Sequence, residues 1–375
     1  MKRWIGYEKF YNCPSIRIVL LFPRTWNWLY NLGIASMNLL ESLDSLPNFL
    51  DELAPTSLLI PVVNLEPGQI DPRFTRLSYS GLLDMHACPR KFQLNKMQAP
   101  RPEQDVSTSV TFAYGHAMGE GIANYLINRG SMEEQAALDN ALWKMFLAWD
   151  ADLLAENDKQ KKSFFRAVAA LLQFRNLVLE GFLADEWEVA YFNGKPAAEL
   201  SFKIDLGDGF YFRGFVDLVL KNKLTGQYLI LELKTSSANY VNHYVYKNSA
   251  QAIGYSVVLD TIAPGISSYA VQYLVYLTKL ERYEAFDFPK TFRQRIQWLQ
   301  DLMWDKKQIV DMTSFYGNDG VWQVRGESCC DFGRPCDYMD MCGMETSRIT
   351  SPLTEKDLEE SKEYDFNFSL QELLT

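Results

Sequence analysis

The chain has 375 residues, 47% of them apolar and 22% charged, a balance that excludes a disordered chain and permits one large or two ordinary folded domains. Its longest early apolar run, Ile18 to Phe22, is cut by Pro23 and Arg24. Neither a bilayer span nor a signal peptide is therefore expected, and the chain reads as cytoplasmic with no membrane partner. A formal net charge of −10 argues against a uniformly basic nucleic-acid binder and leaves local clusters to decide.

Residues 1–75 are aromatic and apolar, with Pro55, Pro61, Pro67 and Pro72 breaking the second half. Short helices fall near 25–50, no chemical motif is visible, and the stretch reads as an N-terminal extension. Ser78 or Ser80 is placed to cap a short helix reaching Met85, and Pro89 to open the next turn. Arg90, Lys91, Lys96 and Arg101 form a basic group that could line a nucleic-acid strand or be solvated surface. A helix is expected over 112–128, where Gly115, Gly119 and Gly121 permit close backbone approach. Two amphipathic patterns follow, 132–157 and 160–182. Their connection, Asn157–Lys162, is charged and expected to be exposed.

Beyond residue 185 the periodicity changes. Trp187–Phe192, Ala198–Ile204, Phe210–Leu220 and Tyr228–Lys234 read as successive strands. Asn193-Gly194, Gly207-Asp208-Gly209 and Thr225-Gly226 are turn signals between them. Helix returns over 243–259, a strand over Ser268–Leu277, and a long helix near 290–310. The order gives an α/β fold with a central mixed, largely antiparallel sheet and a helical part at 112–182.

Asp217 sits inside the apolar run Gly214–Leu220, and Glu232 inside Leu229–Thr235. A buried carboxylate costs several kcal/mol, on the order of magnitude of a lost fold, unless something compensates it. Two on neighbouring strands invite a hard divalent cation such as Mg²⁺. Glu232 and Lys234 are two apart, so a strand points both to one face. The Leu233 carbonyl could add a further oxygen. Lys234 could orient or help deprotonate a water and offset charge on a phosphoryl group. Gln251 and Tyr255, four apart, share a helix face from which they could meet the metal-bound water or a phosphate.

Together, Gly214-x-x-Asp217, Glu232-x-Lys234-Thr235 and Gln251-x-x-x-Tyr255 resemble the PD-(D/E)XK nuclease superfamily. The nearest likeness is to its RecB/AddB-like branch, with CRISPR-associated relatives and frequent phage encoding, hence a host-cytoplasm location in that case. The resemblance implies a restriction-endonuclease-like core with one or two Mg²⁺ or Mn²⁺ ions on Asp217 and Glu232, Lys234 completing the site, and Gln251 and Tyr255 as accessories. Glu199 matches a commonly acidic position with an expected structural role. Many relatives carry Gly-x-x-x-His in an upstream helix; here Gly115 is followed by Gly119 at the histidine position. His116 is read as facing another side of that helix, and Glu120 as able to approach the cation instead.

Six cysteines are present, four of them crowded as Cys329, Cys330, Cys336 and Cys342, with Cys88 upstream and Cys13 outside the pattern. In an intracellular chain such crowding reads as metal ligation rather than disulfide bonding. The resemblance implies a [4Fe–4S] cluster clasping the two ends of the domain through Cys88, Cys329 or Cys330, Cys336 and Cys342. Zinc, or no metal at all, is the alternative. The expected organisation is an extension at 1–75, a nuclease domain at 76–345 and an acidic tail at 346–375. The tail reads as solvating, or as a contact for a replication or recombination protein. The expected activity is a metal-dependent DNA exonuclease or end-processing enzyme acting on single-stranded DNA or duplex ends. A catalytically weak DNA-binding or complex-forming module and an RNA-directed nuclease are the alternatives.

Overall fold

The computed structural model describes residues 62–375 apart from 104–105, 184, 267, 332–333 and 360–363, and without the side chains of residues 330, 331 and 334. The helices expected near 25–50 and Cys13 lie outside the described residues. Helices α1 (Tyr79–Ala87) and α2 (Pro89–Lys96) open the domain after a two-residue strand, β1 (Arg76–Leu77). Ser78 caps α1 by accepting from the Gly81 amide, and Pro89 opens α2. Three helices follow, α3 (Val106–Asn128), α4 (Glu134–Ala148) and α5 (Phe164–Leu179). The patterns expected to run on to 157 and from 160 stop short, because residues 156–163 form a small antiparallel ribbon instead.

The sheet strands are β2 (Trp187–Val189), β3 (Ala198–Gly207), β4 (Phe210–Asn222) and β5 (Tyr228–Ser236). After α6 (His243–Lys247) and α7 (Ala250–Ile262) come β6 (Ser268–Leu277), β7 (Arg282–Thr291) and α8 (Phe292–Tyr316). A last strand, β8 (Phe366–Ser369), lies near the C-terminus. The spatial order is β7-β6-β5-β4-β3-β8, with β1 and β2 also on β4. β5 pairs parallel to β6, and β3 parallel to β8, while β3–β4, β4–β5 and β6–β7 are antiparallel. The mixed sheet is thus as expected. The β3–β4 turn places Gly207, Asp208 and Gly209 all at positive φ, a conformation open chiefly to glycine and aspartate or asparagine.

Both faces of the central strands are covered, which is why they read as continuous apolar runs. Leu218, Leu220, Leu229, Leu231 and Leu274 pack in a cluster with α3, α4 and α5. Val219, Ile230, Val271 and Val275 belong to the opposite cluster, with α7 and α8. Gly254 brings α7 and α8 together: a Cβ there would lie 2.7 Å from the Trp298 ring.

Both ends of the expected domain are revised. Residues 62–75 are part of the core, since Val62 bridges Thr354, Arg73 donates to the Ser351 carbonyl at 2.9 Å, and Phe74 is fully buried. At the other end, the tail read as solvating extends the sheet. β8 pairs with β3, Phe368 is buried, and Asp365 accepts from the Ser201 hydroxyl at 3.2 Å. Sequence periodicity cannot see a parallel pairing this distant along the chain. Truncation after Glu359 would uncover the β3 edge and is expected to lower the thermal midpoint and raise light scattering on heating. Phe368→Ala alone is expected to cost about 3 kcal/mol in denaturant titration.

Candidate active site

The site forms where the sheet forks. β4 pairs with β5 only over Leu218–Lys221 against Tyr228–Leu231, whereas β5 stays on β6 up to Ser236. Beyond Leu218 and Leu231 the two strands separate, and the next residues into the gap are Asp217 and Glu232. The Leu233 amide, having lost a partner strand on that side, donates to Asp217 Oδ2 at 2.9 Å. Lys234 Nζ lies 2.5 Å from Glu232 Oε1. It also donates to Gln251 Oε1 at 3.4 Å, and Gln251 Nε2 donates to the Tyr255 hydroxyl at 2.6 Å. The fork therefore gathers Asp217, Glu232, Lys234, Gln251 and Tyr255.

Glu232 is 1% exposed, and neither of its oxygens has a well-directed hydrogen-bond donor among the described residues despite the close Lys234 ammonium. Burial, then repulsion from Asp217, push its carboxyl up to about 7, against the pull of Lys234. Burial also raises Asp217, opposed by Lys234 and the Leu233 amide. Burial works against charge on Lys234, but Glu232 and Asp217 outweigh it and hold the ammonium protonated.

A third acid is here whose importance the sequence understated. Glu199 stands in β3 opposite Asp217, in the gap between the pairs Ala198↔Leu218 and Leu200↔Val216. Its φ of 48° is left-handed, rare for a non-glycine residue and strained. Its side chain keeps access to solvent, yet partial burial, then Asp217 and Glu120, raise its carboxyl to about 7. Glu120 acts on Glu199 but is not among the groups that shift Asp217 or Glu232.

Asp217, Glu199, Leu233 and Lys234 line a cavity of about 590 Å³ whose far wall is α3 and the 156–163 ribbon. Gly115, His116 and Gly119 all line it. His116 thus shares a face with Gly119 rather than turning away, because residues three apart on a helix are neighbours. A Cβ on Gly119 would meet nothing within 4 Å, so the position of the family histidine is open space here.

The residues of the basic group expected to line a strand path each have protein partners, Arg90 inside the protein and Arg101 from an exposed position. Arg90 is fully buried. It donates to Gln93 Oε1 and Thr346 Oγ1 at 2.6 Å, to the Met344 carbonyl at 2.7 Å and to the Cys342 carbonyl at 3.2 Å. Lys91 pairs with Asp84 at 2.8 Å, Lys96 donates to the Arg76 carbonyl, and Arg101 donates to the Tyr338 hydroxyl at 2.7 Å. Cys88, Cys329, Cys336 and Cys342 are all free, and the side chain of Cys330 lies outside the described residues. Burial, then Cys336, Cys88 and, more weakly, Cys329 raise the Cys342 thiol. Among the described residues no group of three or more Cys, His, Asp or Glu side chains stands in metal-holding geometry. The hydrogen bonds of Arg90 are one of the joins between the two ends of the domain, beside those of Val62 and Arg73.

A mixed sheet whose forked centre gathers two acids and a lysine, with Asp217 and Lys234 lining a cavity, is the architecture of a nuclease core. The chain belongs to the PD-(D/E)XK nuclease superfamily, whose family model matches residues 76–343. Among solved structures, a candidate exonuclease of Eubacterium rectale is 13% identical, with 75% of this chain and 99% of that one covered and a TM-score of 0.39. The protein SSO0001 is 12% identical, with 62% and 87% covered and a TM-score of 0.25. No curated protein sequence matches the chain. Among the described residues no helix is long and apolar enough to cross a membrane.

Proposed function

We propose that the chain is a divalent-metal-dependent DNA nuclease, an exonuclease or end-processing enzyme that hydrolyses phosphodiester bonds at the β4–β5 fork. The observation that carries this reading is Glu232: a fully buried carboxylate with the Lys234 ammonium as its close cation, beside a second acid on the neighbouring strand. Such a pair is compensated by a hard cation better than by one lysine. Asp217, Glu232 and the Leu233 carbonyl would hold Mg²⁺ or Mn²⁺. Glu120 stands one carboxylate further out, beyond Glu199. The cation, when bound, supplies an acidified water and a polarised phosphoryl oxygen. Asp217 is oriented by its bond from the Leu233 amide. Lys234 presents a charged ammonium that Gln251 and, behind it, Tyr255 hold in place, suited to offset charge on the phosphate.

The cysteines are proposed to hold a [4Fe–4S] cluster through Cys88, Cys329 or Cys330, Cys336 and Cys342, with a structural or DNA-positioning role. What supports this is that the thiols of Cys88, Cys329, Cys336 and Cys342 are free and that Cys342 feels the other three. The present side-chain arrangement would have to tighten to make the ligand set. Iron counting and visible absorbance after anaerobic purification test it separately from cutting.

The test of the main reading is a Mg²⁺/Mn²⁺ cleavage assay on linear, circular, single- and double-stranded DNA and on RNA, with Asp217→Asn and Lys234→Met beside the wild type. Wild-type cleavage is expected to need a free DNA end and added metal. Each variant is expected to lose at least about 100-fold in rate. Undiminished cutting by both variants would show that the reaction happens elsewhere.

A further inference from the structure

The fork does not use every charged side chain that its cavity holds. Lys162, at the end of the 156–163 ribbon, lines the same cavity as Asp217 and Lys234 but is 5% exposed. Its neighbours are the Thr235 hydroxyl, 3.5 Å from Nζ, and the Tyr114 ring, whose centroid is 5.6 Å away. Among the described residues it has no carboxylate partner, and burial alone lowers its ammonium to about 8. Lys234, by contrast, is already matched to Glu232. A buried cation without a counter-charge is costly, so its retention points to a partner that arrives from outside.

The ribbon is built to hold it still. Asn157 Nδ2 donates to the Ser107 carbonyl and to Thr111 Oγ1, both at 3.0 Å, and Thr111 donates to Gln160 Oε1 at 3.0 Å. The Gln160 carbonyl accepts from Thr278 at the end of β6. Ser163 then caps α5 by accepting from the Arg166 amide at 3.3 Å. Lys162 is thus pinned between α3, α5 and the sheet. On the same wall of the cavity Phe112 of α3 is 63% exposed, a flat apolar face.

We propose that Lys162 is a phosphate-binding residue of the substrate strand, holding the backbone phosphate next to the one at the Asp217–Glu232 fork, with Phe112 stacking on a base. The inference rests on the nuclease reading and names how that site grips its substrate. A lysine offers three donors to a phosphate, and an aromatic face accepts any base, so the grip is sequence-tolerant. Lys162 is a positioning residue; the reacting atoms belong to the fork.

The experiment is fluorescence anisotropy of a labelled single-stranded oligonucleotide with the full chain in Ca²⁺, as a function of NaCl. Wild type, Lys162→Met, Lys162→Arg and Phe112→Ala are compared, together with steady-state cleavage in Mg²⁺. Loss of one single-strand phosphate contact should reduce the slope of log K against log [salt] by about 0.7. Lys162→Met is expected to show that reduction, at least tenfold weaker binding at low salt, and a raised KM with kcat little changed. Lys162→Arg is expected to keep the wild-type slope. Phe112→Ala is expected to weaken binding with the slope intact. Should Lys162→Met fail to give the wild-type circular dichroism spectrum, Lys162→Gln carries the same measurement. An unchanged slope in the folded variant overturns the phosphate grip and leaves the nuclease reading standing. A wild-type protein that binds no single-stranded oligonucleotide also overturns the phosphate grip, whereas a wild type that cleaves neither single- nor double-stranded DNA in Mg²⁺ overturns the nuclease reading.

Discussion

Glu232→Gln is expected to abolish cleavage and, in the metal-free protein at pH 8, to raise the thermal midpoint. The two effects share one cause. A carboxyl whose folded pKa is about 7 holds its proton more tightly in the folded than in the unfolded chain, where it titrates near the ordinary glutamate value of 4.5. Between those values the native state binds more protons, so stability falls as pH rises through the window and stays low above it. The loss from this one group is on the order of 3 kcal/mol at pH 8. Glutamine keeps the shape and removes the charge, so the variant should escape that loss, and the difference should vanish as pH is lowered toward 5. Glu199, also raised to about 7 and more open to solvent, contributes in the same direction with a smaller, screened share.

Divalent cation reverses the comparison. Saturating Mg²⁺ or Mn²⁺ is expected to raise the wild-type midpoint, by about 2.7 kcal/mol in stability at a hundredfold excess over Kd, and to leave Glu232→Gln nearly unmoved. Cleavage by the variant should fall by about 1,000-fold or more. Differential scanning fluorimetry at pH 5 and 8, with and without metal, reads all four corners. A variant that melts lower than wild type in metal-free buffer at pH 8 would mean that Glu232 serves as a structural ion pair with Lys234 and not as a metal ligand.

How much of this could be read from the sequence depends on the distance over which each feature is determined. Asp217, Glu232 and Lys234 were legible because a charge inside an apolar strand run is anomalous by itself. Their convergence also follows from one antiparallel hairpin with a turn at Thr225-Gly226, a local event. β6 was read at its observed bounds, Ser268–Leu277, because it is strongly apolar. β7, with its mixed charged and aromatic pattern at the sheet edge, carries no such signature.

Features set by long-range packing were hidden. The connection Asn157–Lys162 reads as solvated from its charge, yet Asn157 and Lys162 are buried, because α3 and Thr278 close over the ribbon. Glu199 reads as one acid in a strand. Its left-handed φ and its position opposite Asp217 depend on the register of β3 against β4. Arg90 reads as part of a surface basic group because its neighbours Lys91 and Lys96 are basic. Apart from Gln93, its acceptors lie more than two hundred residues away, in Met344, Thr346 and Cys342.

Arg90→Ala is accordingly expected to be the most destabilising single change outside the sheet. The guanidinium is fully buried with four acceptors and no carboxylate, and burial lowers its pKa while Cys342 and Cys88 pull it back up. Removing it leaves the Met344 and Cys342 carbonyls, Gln93 Oε1 and Thr346 Oγ1 without that donor, at about 1–3 kcal/mol for each group that water cannot reach. It also opens a cavity beneath α2. A loss of roughly 4 kcal/mol or more in denaturant titration is therefore expected. Lysine should rescue little, since an ammonium cannot reproduce the planar fork. The consequence reaches the cysteines, because Arg90 fixes the backbone at Cys342 beside Cys88. Limited proteolysis of Arg90→Lys should cut within residues 326–350 before the sheet core, and thiol labelling of Cys342 should speed up. Unchanged labelling and an unchanged denaturation midpoint would mean that the C-terminal segment is held by contacts other than this guanidinium.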